Sequence, residues 1–314
     1  MISTMRKGGS QDPPSTKPSR GISLGIEGRS ALLGLTLVAP VVLYLLLVQA
    51  YPFVSALYTS LTDKRIGAEA GFIGLDNYGE LLQDSLFLRA VRNTLVFTVG
   101  SIVVKLVSGT VMALVLNQDL RFKSLWRALL FLPWTIPTII TVLTFGWMYS
   151  STGGVLNSIL LRLDILAKPI DWLGVPENAM AAIILVNVWR GTPFFGISLL
   201  GALQAIPRDQ YEAAKIDGAS QWQEFIHITI PSIRSVALLV TLVSTIWTLN
   251  DFQIIWVLTR GGPANGTQVF STLTYTSAFL NLELGKAIAI SVVSVPFLAL
   301  LIGWTTRSVL GEAE

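Results

Sequence analysis

The chain contains no cysteine and a single histidine, His227. Without a thiol there is no disulfide framework, thiolate metal site or cysteine nucleophile, and one imidazole leaves little for a zinc centre or His-based catalysis. Charge is scarce as well. Charged residues make up 13% of the 314, about half the usual share of a soluble protein, against 52% apolar residues and a mean hydropathy of +0.63. A soluble two-domain body needs more polar surface than this to meet water. The composition therefore excludes disorder, a coiled coil and most cytosolic enzymes, and points to a membrane protein. The net charge of +3 and pI near 9.2 are mild and require no nucleic-acid partner.

A helical span needs about 20 mainly apolar residues to bridge ~30 Å of hydrocarbon. Six segments meet that length, at about 31–58, 87–117, 126–149, 179–203, 233–258 and 287–306. The expected fold is an all-α membrane domain of six transmembrane helices over 31–310. Prolines 40, 133, 137, 193 and 296 fall inside or at the ends of these spans, as bent helices packed around something would allow. Gly100, Ser108, Gly109 and Thr110 suit close helix approach or ordinary packing.

Residues 1–30 carry Arg6, Lys7, Lys17, Arg20 and Arg29 among Pro, Ser and Gly. They read as a basic disordered tail that keeps the N-terminus cytoplasmic, and six spans return the C-terminus to the same side. The first apolar run is too long for a cleavable signal, and no small-residue cleavage site follows it.

The loop 204–232 between the fourth and fifth spans has local order written into it. Pro207 suits the first turn of a helix, Asp209 complements its positive end, and Gly218 suits a left-handed terminator. Ser220 with Gln223 has the form of a capping box opening a second short helix. A helix-turn-helix lying on the cytoplasmic side follows, with Ala213 and Ala214 giving it a small-side-chain face.

Glu212-Ala213-Ala214, three residues, Gly218, nine residues and Ile228-Thr229-Ile230-Pro231 together resemble the EAA loop of type I ABC importer permeases, with Ile230 where that pattern usually has Leu. Phe72-Ile73-Gly74-Leu75-Asp76-Asn77-Tyr78, Asn187-Val188-Trp189-Arg190-Gly191-Thr192-Pro193 and Leu258-Thr259-Arg260-Gly261-Gly262-Pro263 are similar to the carbohydrate-uptake branch, of maltose and glycerol-phosphate type. The resemblance covers about 31–310. It implies a permease subunit forming half of the translocation path for a sugar or oligosaccharide, in a bacterial or archaeal inner membrane. It implies as partners a second permease, two ATP-binding subunits and an extracytoplasmic solute-binding protein, which outer segments 59–86, 150–178 and 259–285 would meet. In such importers the loop helix docks in a groove of the ATPase. Glu212 would pair with a basic group there, while Ala213, Ala214 and Gly218, with Asp217 beside them, permit close approach. No Gly-x-x-x-x-Gly-Lys-Ser/Thr phosphate loop is present, so the chain is not expected to hydrolyse ATP. Mg-ATP belongs to the partner, and no cofactor or metal is expected here.

By the same resemblance, positions matching sugar contacts of the maltose permease subunit are Asn187, Arg190, Gly191 and Phe194 in the fourth span. In the fifth they are Ser244, Thr248 and Asp251, with Trp247 and Asn250 alongside. Carboxylate and amide groups suit vicinal hydroxyls, and aromatic faces suit the apolar side of a sugar ring. The maltose pattern has an aliphatic residue in place of Arg190 and amides in place of Thr248 and Asp251, which argues against maltose. Arg190 leaves room for an anionic solute such as a glycerol phosphodiester or a uronate oligosaccharide, unless Asp251 neutralises it. A charge at a helix centre costs about 2.5–3.5 kcal/mol on insertion scales, so Arg190 and Asp251 either face a cavity, pair within the bundle or snorkel. Lys105 is expected to make a structural contact and His227 to be a surface or packing residue.

Three other classes compete. An ion-coupled secondary transporter would titrate Asp251 or Lys105, but it predicts internal repeats, and no convincing repeat relates the two halves. An intramembrane enzyme lacks a metal-spacing His pair and a nucleophile–base pair. A channel leaves the capped loop unexplained.

Overall fold

A computed structural model describes residues 26–310. The expected basic tail lies outside the described residues as far as residue 25. The chain divides into two compact units, residues 1–54 and 55–314. The first holds α1 (Ile26–Leu45), a π-helical turn (Leu46–Ala50) and the start of α2 (Tyr51–Ser60). Between them these elements supply a helix, Leu33–Ser60, long and apolar enough to cross a membrane.

The second unit continues with α3 (Asp76–Gln83), α4 (Ser85–Asn117), α5 (Lys123–Thr135), α6 (Thr138–Met148), α7 (Val155–Arg162) and α8 (Pro176–Gln204). After α9 (Arg208–Ile216) and α10 (Gln221–Glu224), a π-helical turn (Phe225–Thr229) leads into α11 (Ile230–Leu249). There follow α12 (Gln253–Leu258), α13 (Phe270–Tyr275) with a π turn (Thr276–Leu280), and α14 (Leu284–Leu310). Among the described residues the only β-pairing is two isolated bridges, Thr62 with Phe72 and Arg65 with Glu283. Among the described residues five helices reach spanning length and apolarity, and α5 with α6 makes a sixth if that bent pair is one span.

Two of the expected spans are interrupted. The segment 126–149 is α5 and α6, meeting at 90°. Pro137 removes a donor and forces the residue before it out of the helical region; Ile136 is extended at φ −72°, ψ 132°. The segment 233–258 is α11 and α12, separated at Asn250–Phe252. Pro40, Pro133, Pro193 and Pro296 lie within α1, α5, α8 and α14.

The core is built on α4 and α8, which cross closely because glycines meet side chains there. A Cβ on Gly109 would overlap the Cβ of Phe195, and one on Gly196 would lie 2.5 Å from the Met112 sulfur. Ser108 Oγ and Thr192 Oγ1 share a hydrogen bond of 2.9 Å across the same crossing. Thr110 instead bonds its own helix, at Leu106 O. Towards one end an apolar cluster joins Phe97 of α4, Ile183 and Val186 of α8, Phe145 of α6 and Ile254 of α12. Towards the other end Met112 and Leu116 pack with Leu199, Leu203 and Ile233 of α11. Between these two lie a smaller apolar cluster, Ile102, Phe195 and Val240, and a polar level.

The loop after α8 is two short helices. Pro207 stands at the cap of α9, one residue ahead of the first turn expected for it, and Asp209 is in that turn. Gly218 has φ +82°. Its N–H bonds Lys215 O at 3.1 Å and the Ala219 N–H bonds Ala214 O at 2.9 Å, the paired closure of a helix that needs a left-handed residue at its end. Ser220 and Gln223 form the capping box of α10.

Gly109→Leu should destabilise the fold by about 1–3 kcal/mol or more through overpacking. Gly201→Leu, where a Cβ meets nothing within 4 Å, should be neutral. Thermal melting of the detergent-purified protein distinguishes them; equal melting would mean that the crossing does not carry the core.

Candidate solute cavity

The polar level between the two clusters opens into a cavity of about 630 Å³. Its walls come from α8, from the end of α11 and the break after it, and from α4, with Trp134 and Thr138 at the α5–α6 bend. Asn187, Arg190, Gly191 and Phe194 line it from α8, and Ser244, Trp247, Thr248, Asn250 and Asp251 from α11 and its break. The structure thus brings all nine sequence-predicted residues to one cavity.

Asp251 reaches that place because α11 stops. The N–H of Asn250 makes the last regular helical bond, to Ile246 O, and that of Asp251 turns back to Thr248 O, three residues away, which closes the helix. The Asp251 carboxylate then serves the next one. Oδ1 accepts from the Ile254 N–H at 3.2 Å, and Oδ2 accepts from Asn187 Nδ2 at 2.9 Å. Its backbone carbonyl accepts from Ser271 Oγ at 2.9 Å. Asp and Asn suit such a break because their side chains satisfy backbone groups locally. Asp251 therefore pairs with an amide rather than with Arg190.

Lys105 makes an interhelical contact, as expected of it, and it also reaches the cavity. Its side chain, only 3% exposed, crosses from α4 to the cavity wall. There Nζ donates to Thr248 Oγ1 at 3.0 Å and lies 3.5 Å from Ser244 Oγ. Gly191 makes this possible, since a Cβ there would lie 2.6 Å from Lys105 Cε. A signal for it is present in the sequence. Thr94, Thr98, Ser101 and Lys105 recur at helical spacing along α4, and all four are buried. A polar stripe on an otherwise apolar span marks the face turned to the protein interior. Phe252, Gln253 and Val257 also line the cavity without having been singled out.

The remaining wall is aromatic. Phe194 and Trp247 pack with ring centroids 4.9 Å apart, and Trp247 stays half-exposed. Two polar atoms shielded from solvent at this level have no protein partner, Asn187 Oδ1 and Arg190 Nε. One accepts and the other donates, and neither meets a protein group at this level.

The residues expected to couple to an ATPase lie elsewhere, on α9 and the turn after it. Glu212 and Ala213 of α9 are exposed, and Ala214 is half-buried. Ala214, Asp217 and Gly218 border a shallow hollow shared with Gln223, Glu224 and His227. His227 is exposed and its Nδ1 lies 3.0 Å from Gln223 O, in keeping with a surface residue. Tyr211 of α9 ties the loop to the bundle through a 2.9 Å hydrogen bond between its hydroxyl and Thr229 Oγ1.

Residues 105–309 match the family model described as the binding-protein-dependent transport system inner membrane component. The chain belongs to that family. It is 37% identical over 269 residues to the trehalose/maltose transport system permease protein MalF of Thermococcus litoralis, covering 84% of this chain and 90% of the relative. The sulfoquinovosyl glycerol transport system permease protein SmoG of Agrobacterium fabrum is 34% identical, with 82% and 85% covered. The lactose transport system permease protein LacF of Rhizobium radiobacter is 36% identical, with 78% and 83% covered. A solved bacterial ABC transporter that imports the acidic polysaccharide alginate has a similar fold. Its TM-score is 0.75 over 91% of this chain and 97% of that one, at 23% identity. The chain is accordingly a multi-pass permease subunit of an ABC importer, with the type I importer permease fold, and its family members are transport subunits. The ion-coupled secondary transporter is set aside.

Gly191→Val should push Lys105 off the cavity wall with little loss of stability, because the clash is with a flexible side chain. Solute transport by the assembled importer should fall, and Gly191→Val/Lys105→Met should transport no worse than Gly191→Val alone. Fully additive losses would separate the two residues.

Proposed function

We propose that this chain forms half of the translocation path for a sugar or oligosaccharide, and that the cavity between α4, α8 and α11 is where the solute passes. The observation that carries this reading is the composition of one wall set. Amide and carboxylate groups, hydroxyls and an aromatic pair converge on about 630 Å³ at membrane depth, the mixture that a ring with hydroxyl edges and apolar faces requires. The relatives named for trehalose/maltose, sulfoquinovosyl glycerol or lactose transport support the same class.

Energy would come from outside the chain, from two ATP-binding subunits holding Mg-ATP. A second permease would complete the path, and an extracytoplasmic binding protein would deliver the solute. α9 is the coupling element in this reading. Glu212 projects from it as an exposed anion, Ala213 and Ala214 leave a low surface, and Gly218 ends the helix abruptly enough for the neighbouring surface to close in. The loop and both termini would then be cytoplasmic, as the basic tail suggests.

Gly218→Trp or Glu212→Lys should leave membrane insertion intact and abolish both co-purification of the ATPase and uptake. Asp251→Ala should leave the complex assembled and reduce uptake by about tenfold or more, the loss of one or more hydrogen bonds to a charged group. Normal uptake in the first pair would remove α9 from coupling, and unchanged kinetics in the third would remove the cavity from the path.

A further inference from the structure

Three ionisable side chains line the cavity: Lys105, Arg190 and Asp251. Two are cations and one is an anion, so the cavity holds an excess of one positive charge. That excess is not cancelled inside the protein. Both Asp251 oxygens already accept, from the Ile254 N–H and from Asn187 Nδ2, and the carboxylate forms no ion pair with either cation. The Lys105 ammonium is met only by the hydroxyls of Thr248 and Ser244. Arg190 keeps a solvent-shielded Nε–H without any protein acceptor. An unpaired cation at this depth is costly unless an anion arrives to meet it.

The two cations are also brought to one wall. Arg190 precedes Gly191 in α8, and the missing side chain of Gly191 is the space in which Lys105 lies. A Cβ there would lie 3.1 Å from Nζ itself. We propose that the transported saccharide carries an acidic group, a carboxylate, sulfonate or phosphate, and that Lys105 and Arg190 hold it. This rests on the saccharide reading above and narrows it. An oxyanion makes charge-assisted hydrogen bonds to both donors, where a neutral hydroxyl makes only weaker ones. Asn187 and Asp251, both on the cavity wall, are left for hydroxyls on the rest of the molecule, and the Phe194–Trp247 pair for a ring face.

The test uses the complete importer, with its receptor and ATPase, in cells lacking other uptake routes. Labelled digalacturonate, sulfoquinovosyl glycerol and a hexose phosphodiester are compared with labelled maltose and lactose. The wild type should take up one or more acidic solutes in preference to the neutral pair. Lys105→Met and Arg190→Gln should each cut that uptake about ten- to a hundredfold, with receptor affinity for the solute and membrane levels of the complex unchanged. Lys105→Arg should retain most of it. Preference of the wild type for a neutral sugar overturns the proposal, as does acidic uptake that survives both charge removals. Failure of every saccharide to enter overturns the saccharide reading and this one with it. The wild-type comparison needs no variant, so a misfolded substitution does not protect the proposal.

Discussion

The close crossing of α4 and α8 is the constraint on which the rest of the permease depends. In a bilayer the lipid is as apolar as the helix surface, so association relies on van der Waals fit and interhelical hydrogen bonds rather than on exclusion of water. Gly109 against Phe195 and Gly196 against Met112 supply the fit, and Ser108 with Thr192 supplies the bond. The same closeness one turn further along lets a lysine on α4 lie over Gly191 and present its ammonium to the hydroxyls of α11. A wider crossing would leave Lys105 facing apolar neighbours with no acceptor in reach. Packing and site are therefore one arrangement of small residues, read at two levels of the same helix pair.

The second device is interruption. An unbroken helix in lipid satisfies all its backbone groups and offers few polar atoms to a passing solute. Here α11 ends at Leu249 and α5 at Thr135, and both breaks open onto the cavity, through Asn250, Asp251 and Phe252 at one and Trp134 and Thr138 at the other. The exposed backbone at the first break is answered locally by Asp251 and Ser271. Backbone irregularity at this depth is tolerable because it lines a polar space.

Much of this was legible in the residues, for reasons that differ from element to element. The loop helices could be read because their ends are specified by local chemistry, Gly218 and the Ser220–Gln223 pair needing no tertiary partner. Only Pro207 shifted, by one position, which a helix end tolerates. The wall residues were legible through resemblance, since nothing in the spacing of Asn187 and Asp251 says that they touch. The two breaks were harder. Pro137 marked a bend without stating its 90°, and no proline or glycine marks Asn250–Phe252, where the helix yields to side chains that compete for its own backbone. Lys105 was missed as a wall residue because it was weighed singly, as one charge in an apolar run. Taken with Thr94, Thr98 and Ser101 it belongs to a stripe, and a stripe has a direction.

What joins the loop to the cavity is α11 itself. Thr229, bonded to Tyr211 of α9, stands immediately before Ile230. Ser244 and Thr248, the hydroxyl partners of Lys105, stand near the other end. Fifteen residues at 1.5 Å each place Thr229 and Ser244 about 22 Å apart on one stiff helix. A displacement of α9 applied through the Tyr211 hydroxyl therefore has a mechanical route to the two hydroxyls that hold the lysine, and through the break at Asn250 to Asp251. Helices packed as tightly as α4 and α8 do not deform continuously, so α11 moves against that pair as a unit or not at all. Because Lys105 is anchored on α4 and its hydroxyl partners on α11, any such movement changes the hydrogen bonds that hold the ammonium, and with them the charge that the cavity presents to its solute.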